Sequence, residues 1–258
     1  MKSSKLEIAL VQTSLVWENP IENRRIITEK IKEIKSSIDI IILPEMFTTG
    51  FTMSPNNIDY NAALQTLEWM KTISTEKNAA IVGSIVYKEK TKNYNRLYFV
   101  EPNGKISFYN KRHTFTLAGE DKVYTSGDKK LFVTYKGFKI CPLICYDLRF
   151  PVWSRNTSNY DVLIYVANWP KKRVLAWDSL LRARAIENMA YCIGINRVGT
   201  DDLGYEYPGH SSVYDSLGAL LSFSDKEEVL YTTITKEHID TTRKKFKFLE
   251  DKDLFNLV

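Results

Sequence analysis

A chain of 258 residues, 44% apolar and 12% aromatic, is long enough for a substantial core in one large domain or two small ones. Its formal charge of +5 is mild, and lysines and glutamates are interspersed without a clustered basic stripe, which argues against a nucleic-acid partner. No apolar run approaches the roughly 20 residues of a membrane span. The three cysteines, an odd number, fit free thiols in a reducing compartment better than a disulfide framework.

The N-terminus, Met1-Lys2-Ser3-Ser4-Lys5, is basic, but the next residues alternate as in a strand with Glu7 among them, so it makes a poor secretory segment and the cytoplasm is the expected location. Leu6, Ile8 and Leu10 carry that alternation. Asn19-Pro20 opens a helix, with Glu22 placed to reach back toward the cap. Ile27, Ile31, Ile34 and Ile38 carry its buried stripe. Residues 38–43 are apolar on both faces apart from Asp39, as in a central strand, and the run stops at Pro44-Glu45. A second helix is expected over 62–77 and a strand over 79–87.

Residues 97–100 and 106–109 flank Pro102-Asn103-Gly104 as a hairpin that leads through Asn110 into Lys111. Residues 112–130 read as an irregular segment covering a site. Paired strands come next at 131–135 and 138–144 around Lys136-Gly137. The strand 162–167 ends at Asn168-Trp169. Residues 177–189, without proline or glycine, are helical, and 190–198 form a strand. A hairpin turn at Asp215-Ser216-Leu217-Gly218 joins 212–214 to 219–222. The segment from about Lys236 is a charged tail with scattered aromatics. With no internal Pro/Gly/Ser linker and no repeat, residues 1–258 are expected to form one domain of mixed α/β class.

The stretch from Lys139 to Pro151 is the most informative. A buried apolar strand ends at Cys145, and a helix start comes directly after it, with Asp147 among its polar residues and Pro151 in the first-turn region. A thiol on such a turn lies near backbone N–H groups that favour a thiolate and can hold an oxyanion. Cys141 and Cys192 read as small core residues. No Cys-x-x-Cys or histidine cluster points to a metal site.

Glu45, Lys111 and Cys145 occur in this order within Leu43-Pro44-Glu45-Met46-Phe47, Tyr109-Asn110-Lys111-Arg112-His113 and Ile144-Cys145-Tyr146-Asp147-Leu148-Arg149-Phe150-Pro151. Together these words resemble the nitrilase superfamily of carbon–nitrogen hydrolases. The likeness runs on through Tyr165-Val166-Ala167-Asn168-Trp169-Pro170, Trp177, the segment 181–188 and Gly209-His210-Ser211-Ser212, and is strongest to the omega-amidases, which act on 2-oxoglutaramate and related omega-amides. The resemblance implies a four-layer α-β-β-α sandwich that assembles as a homodimer or a higher homo-oligomer. It implies a cofactor-free amidase in which Cys145 attacks the amide carbon and forms a thioester. Glu45 moves the protons, and Lys111 with the Tyr146 N–H holds the oxyanion. Glu120 matches the superfamily's additional glutamate, with Asp121 as the alternative.

A substrate carboxylate suits an arginine fork. Arg173 is the first choice, with Arg149 and Arg197 as rivals. Phe115, Tyr146 and Trp169 are candidate walls beside Asn168, while Trp177 reads as helix packing. The substrate is expected to be a small-molecule omega-amide of the 2-oxoglutaramate or succinamate type, with neither nucleic acid nor membrane as a partner. A carbamoylase or a nitrilase would use the same three residues. A Cys–His thiol hydrolase would draw on His113 or His210, His238 being expected on an exposed tail. A silent binding or scaffold protein on the same fold is the alternative outside enzymes.

Overall fold

The computed structural model describes residues 4–35, 37–253 and 255. The Met1-Lys2-Ser3 part of the basic N-terminal segment lies outside them. Two six-stranded sheets form the centre. The first contains β1 (Lys5–Gln12), β2 (Ile40–Ile42), β3 (Ala80–Glu89), β4 (Lys92–Val100), β5 (Ile106–Asn110) and β14 (Glu228–Thr235). Its order is β14-β1-β2-β3-β4-β5, with β1, β2 and β3 parallel. The second contains β6 (Val133–Tyr135), β7 (Phe138–Ile144), β8 (Val162–Ala167), β9 (Tyr191–Asn196), β12 (Ser211–Tyr214) and β13 (Leu220–Ser224). Its order is β13-β12-β9-β8-β7-β6, with β7, β8 and β9 parallel. A small ribbon, β10 (Val198–Thr200) with β11 (Glu206–Pro208), stands apart.

Alternation along the strands explains the layering. In β1, Leu6, Ile8 and Leu10 point into one core while Ala9 and Val11 point into another. The first core also holds Leu97, Phe99, Phe138 and Ile140, and Phe99 packs edge-on against Tyr135 with ring centroids 5.7 Å apart, so it joins the two sheets. The second core takes Ile27 and Ile31 of α1 (Pro20–Lys32) and Met70 and Ile73 of α2 (Ala62–Lys77), which cover the outer face of the first sheet. On the other side α5 (Val174–Asn188) packs against β9 and β12. This is the expected α/β sandwich of four layers. The one-turn helices α3 (Glu120–Val123) and α4 (Pro151–Ser154) lie in connections, and α6 (Lys236–Phe246) comes after β14.

Several expected boundaries shift. Helix α1 stops at Lys32, yet Ile34 and Ile38 beyond it stay buried, so the apolar stripe outlasts the helix. Asn19 caps α1 by accepting the Glu22 N–H at 3.1 Å, but the Glu22 carboxylate forks with Arg25 instead of reaching back. The expected strand over 190–198 divides at Arg197 into β9 and β10. The partner of β1, β14, has no counterpart among the expected strands. Its burial is patchy because it mixes threonines and charge with apolar residues, and its pairing partner is more than 200 residues away. The helix expected after Cys145 is a five-residue 3₁₀ turn, Cys145–Arg149, leading into α4.

Candidate active site

The three motif residues leave the ends of three different strands. Glu45 lies just past β2, where Met46 adopts a left-handed φ of 43° and donates its N–H to Ser84 Oγ at 2.9 Å. Cys145 directly succeeds β7 with a φ of 41°. Such φ values are strained for a non-glycine residue and turn each chain sharply at its strand end. Buried Asp147 braces the second turn by accepting the Ile144 N–H at 3.0 Å, the His113 N–H at 3.0 Å and the Tyr109 hydroxyl at 2.8 Å. Lys111 directly succeeds β5, and its N–H donates to the Asn95 carbonyl of β4 at 3.0 Å.

These residues converge. Lys111 Nζ lies 2.8 Å from Glu45 Oε1, and 3.1 and 2.9 Å from the two Glu120 oxygens. All three side chains are almost completely buried. The Phe115 N–H also donates to Glu120. Asp121, the alternative, is exposed. Glu45 Oε2 accepts the Asn168 N–H at 2.8 Å, and the Asn168 amide donates to the Glu45 carbonyl at 2.6 Å. Glu45 also acts on the Cys145 thiol through its charge, and Cys145 Sγ lies 4.0 Å from the Asn168 carbonyl.

The electrostatics correct one expectation. Burial pushes the Cys145 thiol well above its ordinary range, and Glu45 pushes it further; Lys111 opposes both without prevailing. That direction favours the neutral thiol over a thiolate held by the turn. The short 3₁₀ turn supplies little dipole, and the ammonium is already shared by two carboxylates. Burial alone would lower the Lys111 pKa, but Glu120 and Glu45 outweigh it and keep the ammonium charged. Burial raises the Glu120 carboxyl, with Lys111 pulling the other way and Glu45 adding to the rise.

A cavity of about 210 Å³ opens on Cys145 and Lys111. Phe115, Tyr146, Asn168, Trp169 and Arg173 all line it, as does Arg149. Each arginine lies over an aromatic face, Arg149 over Trp169 and Arg173 over Phe115, both at 5.0 Å. Arg197 is excluded from this role. It does not line the cavity but is fully buried beneath the wall residue Tyr207, with its guanidinium 4.6 Å from that ring, and it donates to the Val198 and Leu15 carbonyls. Asn168 is committed to Glu45 through both its donors, which makes it a brace as much as a wall. Trp177 is buried helix packing that donates to the His210 carbonyl.

None of the three histidines lines the cavity among the described residues. His113 stacks on Phe150 at 3.7 Å and bonds Asp147, and His210 bonds Asp178. His238 is half-buried against Ser216 rather than exposed. A Cys–His pair is thus not built here. Among the described residues no group of three or more His, Cys, Asp or Glu could hold a metal ion.

Sequence reasoning missed Asn95 and the wall residues Phe51, Met53, Asp201 and Tyr207. A signal for Asn95 existed. It shares the core-facing side of β4 with Leu97 and Phe99, where a buried polar residue needs a reason. The walls from the β10–β11 ribbon carry no local signal, because only the fold brings them to Cys145.

Comparison with known proteins agrees in family and extent. The sequence model of the carbon-nitrogen hydrolase family matches residues 7–244. The chain is 41% identical to omega-amidase YafV of Yersinia enterocolitica, covering 99% of this chain and 100% of the relative. It is 31% identical to the 2-oxoglutaramate amidase of Bacillus subtilis, over 97% and 100% of the two chains. The crystal structure of XC1258 from Xanthomonas campestris, a CN-hydrolase superfamily protein with an arsenic adduct in its active site, superposes with a TM-score of 0.95 at 37% identity, covering 98% and 99%.

Proposed function

This chain belongs to the carbon–nitrogen hydrolase family, and from that premise we propose that it is a cysteine-dependent omega-amidase, releasing ammonia from a small omega-amide that carries a carboxylate. The observation that carries the reading is the buried Glu45–Lys111–Glu120 cluster set directly behind Cys145 at the floor of the cavity.

In this mechanism Cys145 Sγ attacks the amide carbon as Glu45 takes the thiol proton. The transfer accompanies attack, because burial and the Glu45 charge disfavour a preformed thiolate. Lys111 and the Tyr146 N–H stabilise the oxyanion; a single donor in such a role contributes about 2.7–4 kcal/mol to the barrier. The tetrahedral intermediate collapses, the C–N bond breaks, and Glu45 gives its proton to the departing ammonia. Glu45 then deprotonates a water that attacks the thioester. The carboxylic acid leaves and the thiol regains its proton. Glu120 keeps Lys111 fixed and charged throughout.

Arg173, held over Phe115 at the cavity wall, is assigned to the substrate carboxylate, with 2-oxoglutaramate first and succinamate next. The names of the Yersinia and Bacillus relatives support this substrate class. The proposal extends to one domain over 1–258, a homodimer or higher homo-oligomer, and a cytoplasmic location. In support, the three cysteines are free and buried, and among the described residues no helix is long and apolar enough to cross a membrane. The test is ammonia release from a panel of 2-oxoglutaramate, succinamate, a neutral amide, a carbamoyl compound and a nitrile. The first two should lead; a clear preference for the nitrile rejects the assignment.

A further inference from the structure

Asn95 sits at the centre of the buried cluster. Its amide nitrogen donates to Glu45 Oε1 at 2.8 Å and to Glu120 Oε1 at 3.2 Å, the same two oxygens that Lys111 Nζ contacts at 2.8 and 3.1 Å. The four groups close a ring in which two carboxylates alternate with two donors. Only the nitrogen end of the amide fits, because both neighbours are acceptors. The same residue's carbonyl receives the Lys111 N–H, so one strand position fixes the backbone of the lysine and the side chains of both acids. Asn95 Oδ1 meanwhile finds no partner among the described residues.

We propose that Asn95 is a positioning residue for the reaction, its amide nitrogen tying Glu45 and Glu120 together around Lys111 and holding Glu45 ready to take the Cys145 proton. The inference rests on the amidase reading of this site. Two carboxylates beside one ammonium carry an excess negative charge whenever both are ionised, at a place where water is excluded. The charged and titratable groups that act on Glu45 are Lys111 after β5, Glu120 on α3, Cys145 after β7, Tyr124 beyond α3 and Tyr207 on β11. Without a neutral donor the excess is relieved by a proton on one acid, and a protonated Glu45 cannot accept the thiol proton. An amide offers one N–H to each carboxylate. A serine hydroxyl or a protonated aspartate offers one in all.

The test compares Asn95→Asp, Asn95→Ser and Asn95→Val with the parent. Two profiles are recorded against pH: kcat/KM for succinamate, and the rate at which iodoacetamide labels Cys145. Loss of a donor to a carboxylate raises its pKa, so the acid limb of both profiles should move up by about one unit or more, equal to about tenfold at a fixed acidic pH. At that pH kcat should fall while KM changes less than about twofold. Asn95→Ser, with one donor kept, should fall between the parent and Asn95→Val. Asn95→Asp preserves shape and decides the question if Asn95→Val does not fold. Acid limbs that coincide with the parent's, in variants that are merely slower or less heat-stable, overturn the proposal. If the parent hydrolyses no amide, the amidase reading fails, and the labelling profile still decides the part played by Asn95.

Discussion

At the residue scale the site is a contest between burial and charge. Cys145, Glu45 and Lys111 are all withdrawn from water; burial dominates at the Cys145 thiol, while at Lys111 the two carboxylates outweigh it. Cys145→Ala should abolish ammonia release. Cys141→Ala and Cys192→Ala should retain it, because these thiols lie in the packed core and burial pushes Cys141 up to about 12. Each of the two should cost about 1 kcal/mol of stability for the lost sulfur contacts. Full turnover by a verified Cys145→Ala protein would remove the mechanism. The upward push on the thiol gives a second outcome. Absorbance of thiolate should show no titration of Cys145 between about pH 6 and 8, whereas an ordinary thiol begins to ionise near the top of that range. A full thiolate signal at neutral pH would reverse the order of proton transfer and attack.

Arg173 and Arg149 are rivals on sequence and both line the cavity, so the choice between them rests on chemistry. Arg173→Met keeps an apolar stem against Phe115 and removes the guanidinium. It should lower kcat/KM for succinamate by about tenfold to a hundredfold, in line with the roughly 1.5–3 kcal/mol typical of a charge-assisted hydrogen bond, and leave a neutral amide of similar length nearly unchanged. Equal losses for both amides transfer the assignment to Arg149.

At the scale of elements, the site exists because parallel strands end together. Glu45 leaves β2, Cys145 leaves β7 and Asn168 leaves β8, each at a carboxyl end, where open α/β sheets characteristically bind ligands. Sequence revealed each strand end through its apolar run, and helix α2 was legible to both termini. What local patterns could not reveal was how closely the layers approach. Gly194 of β9 shows this. A Cβ there would lie 2.4 Å from a Leu181 methyl and 2.7 Å from the Trp177 ring, both on α5. Gly194→Ala should force α5 off the sheet and cost about 1–3 kcal/mol, the usual penalty for overpacking. Urea unfolding should show a lower midpoint with an unchanged slope. An unchanged midpoint would mean that α5 yields freely, and that its packing does not set the position of Trp169, which Trp177 supports at 5.4 Å between ring centroids.

At the scale of the whole molecule, β13 is an edge strand carrying Leu220, Leu221 and Phe223, each 44–47% exposed. An open apolar edge is an aggregation hazard unless another surface covers it. Phe246 and Phe248 of the C-terminal region already stack on each other at 5.4 Å, although Phe248 and Phe255 remain exposed. Light scattering at micromolar concentration should therefore give at least twice the 29.9 kDa of one chain. A monomer would count against the assembly and leave the catalytic reading untouched.

The amino-acid sequence by itself determined the alternation of strands and helices, the identity of Glu45, Lys111 and Cys145 as the residues to watch, and the chemical class of the walls around them. These were legible because hydrophobic period, turn residues and short motif words are properties of neighbours along the chain. Only the tertiary structure decided the rest. It closed β14 onto β1, brought Asp201 and Tyr207 to the cavity, kept Arg197 out of its lining, placed Asn95 between two acids, and buried the Cys145 thiol where its pKa is pushed upward. Each of these depends on groups far apart in sequence meeting where water is excluded. The strength of a charge or a hydrogen bond there is set by the surroundings that the fold assembles, which no segment of the chain carries alone.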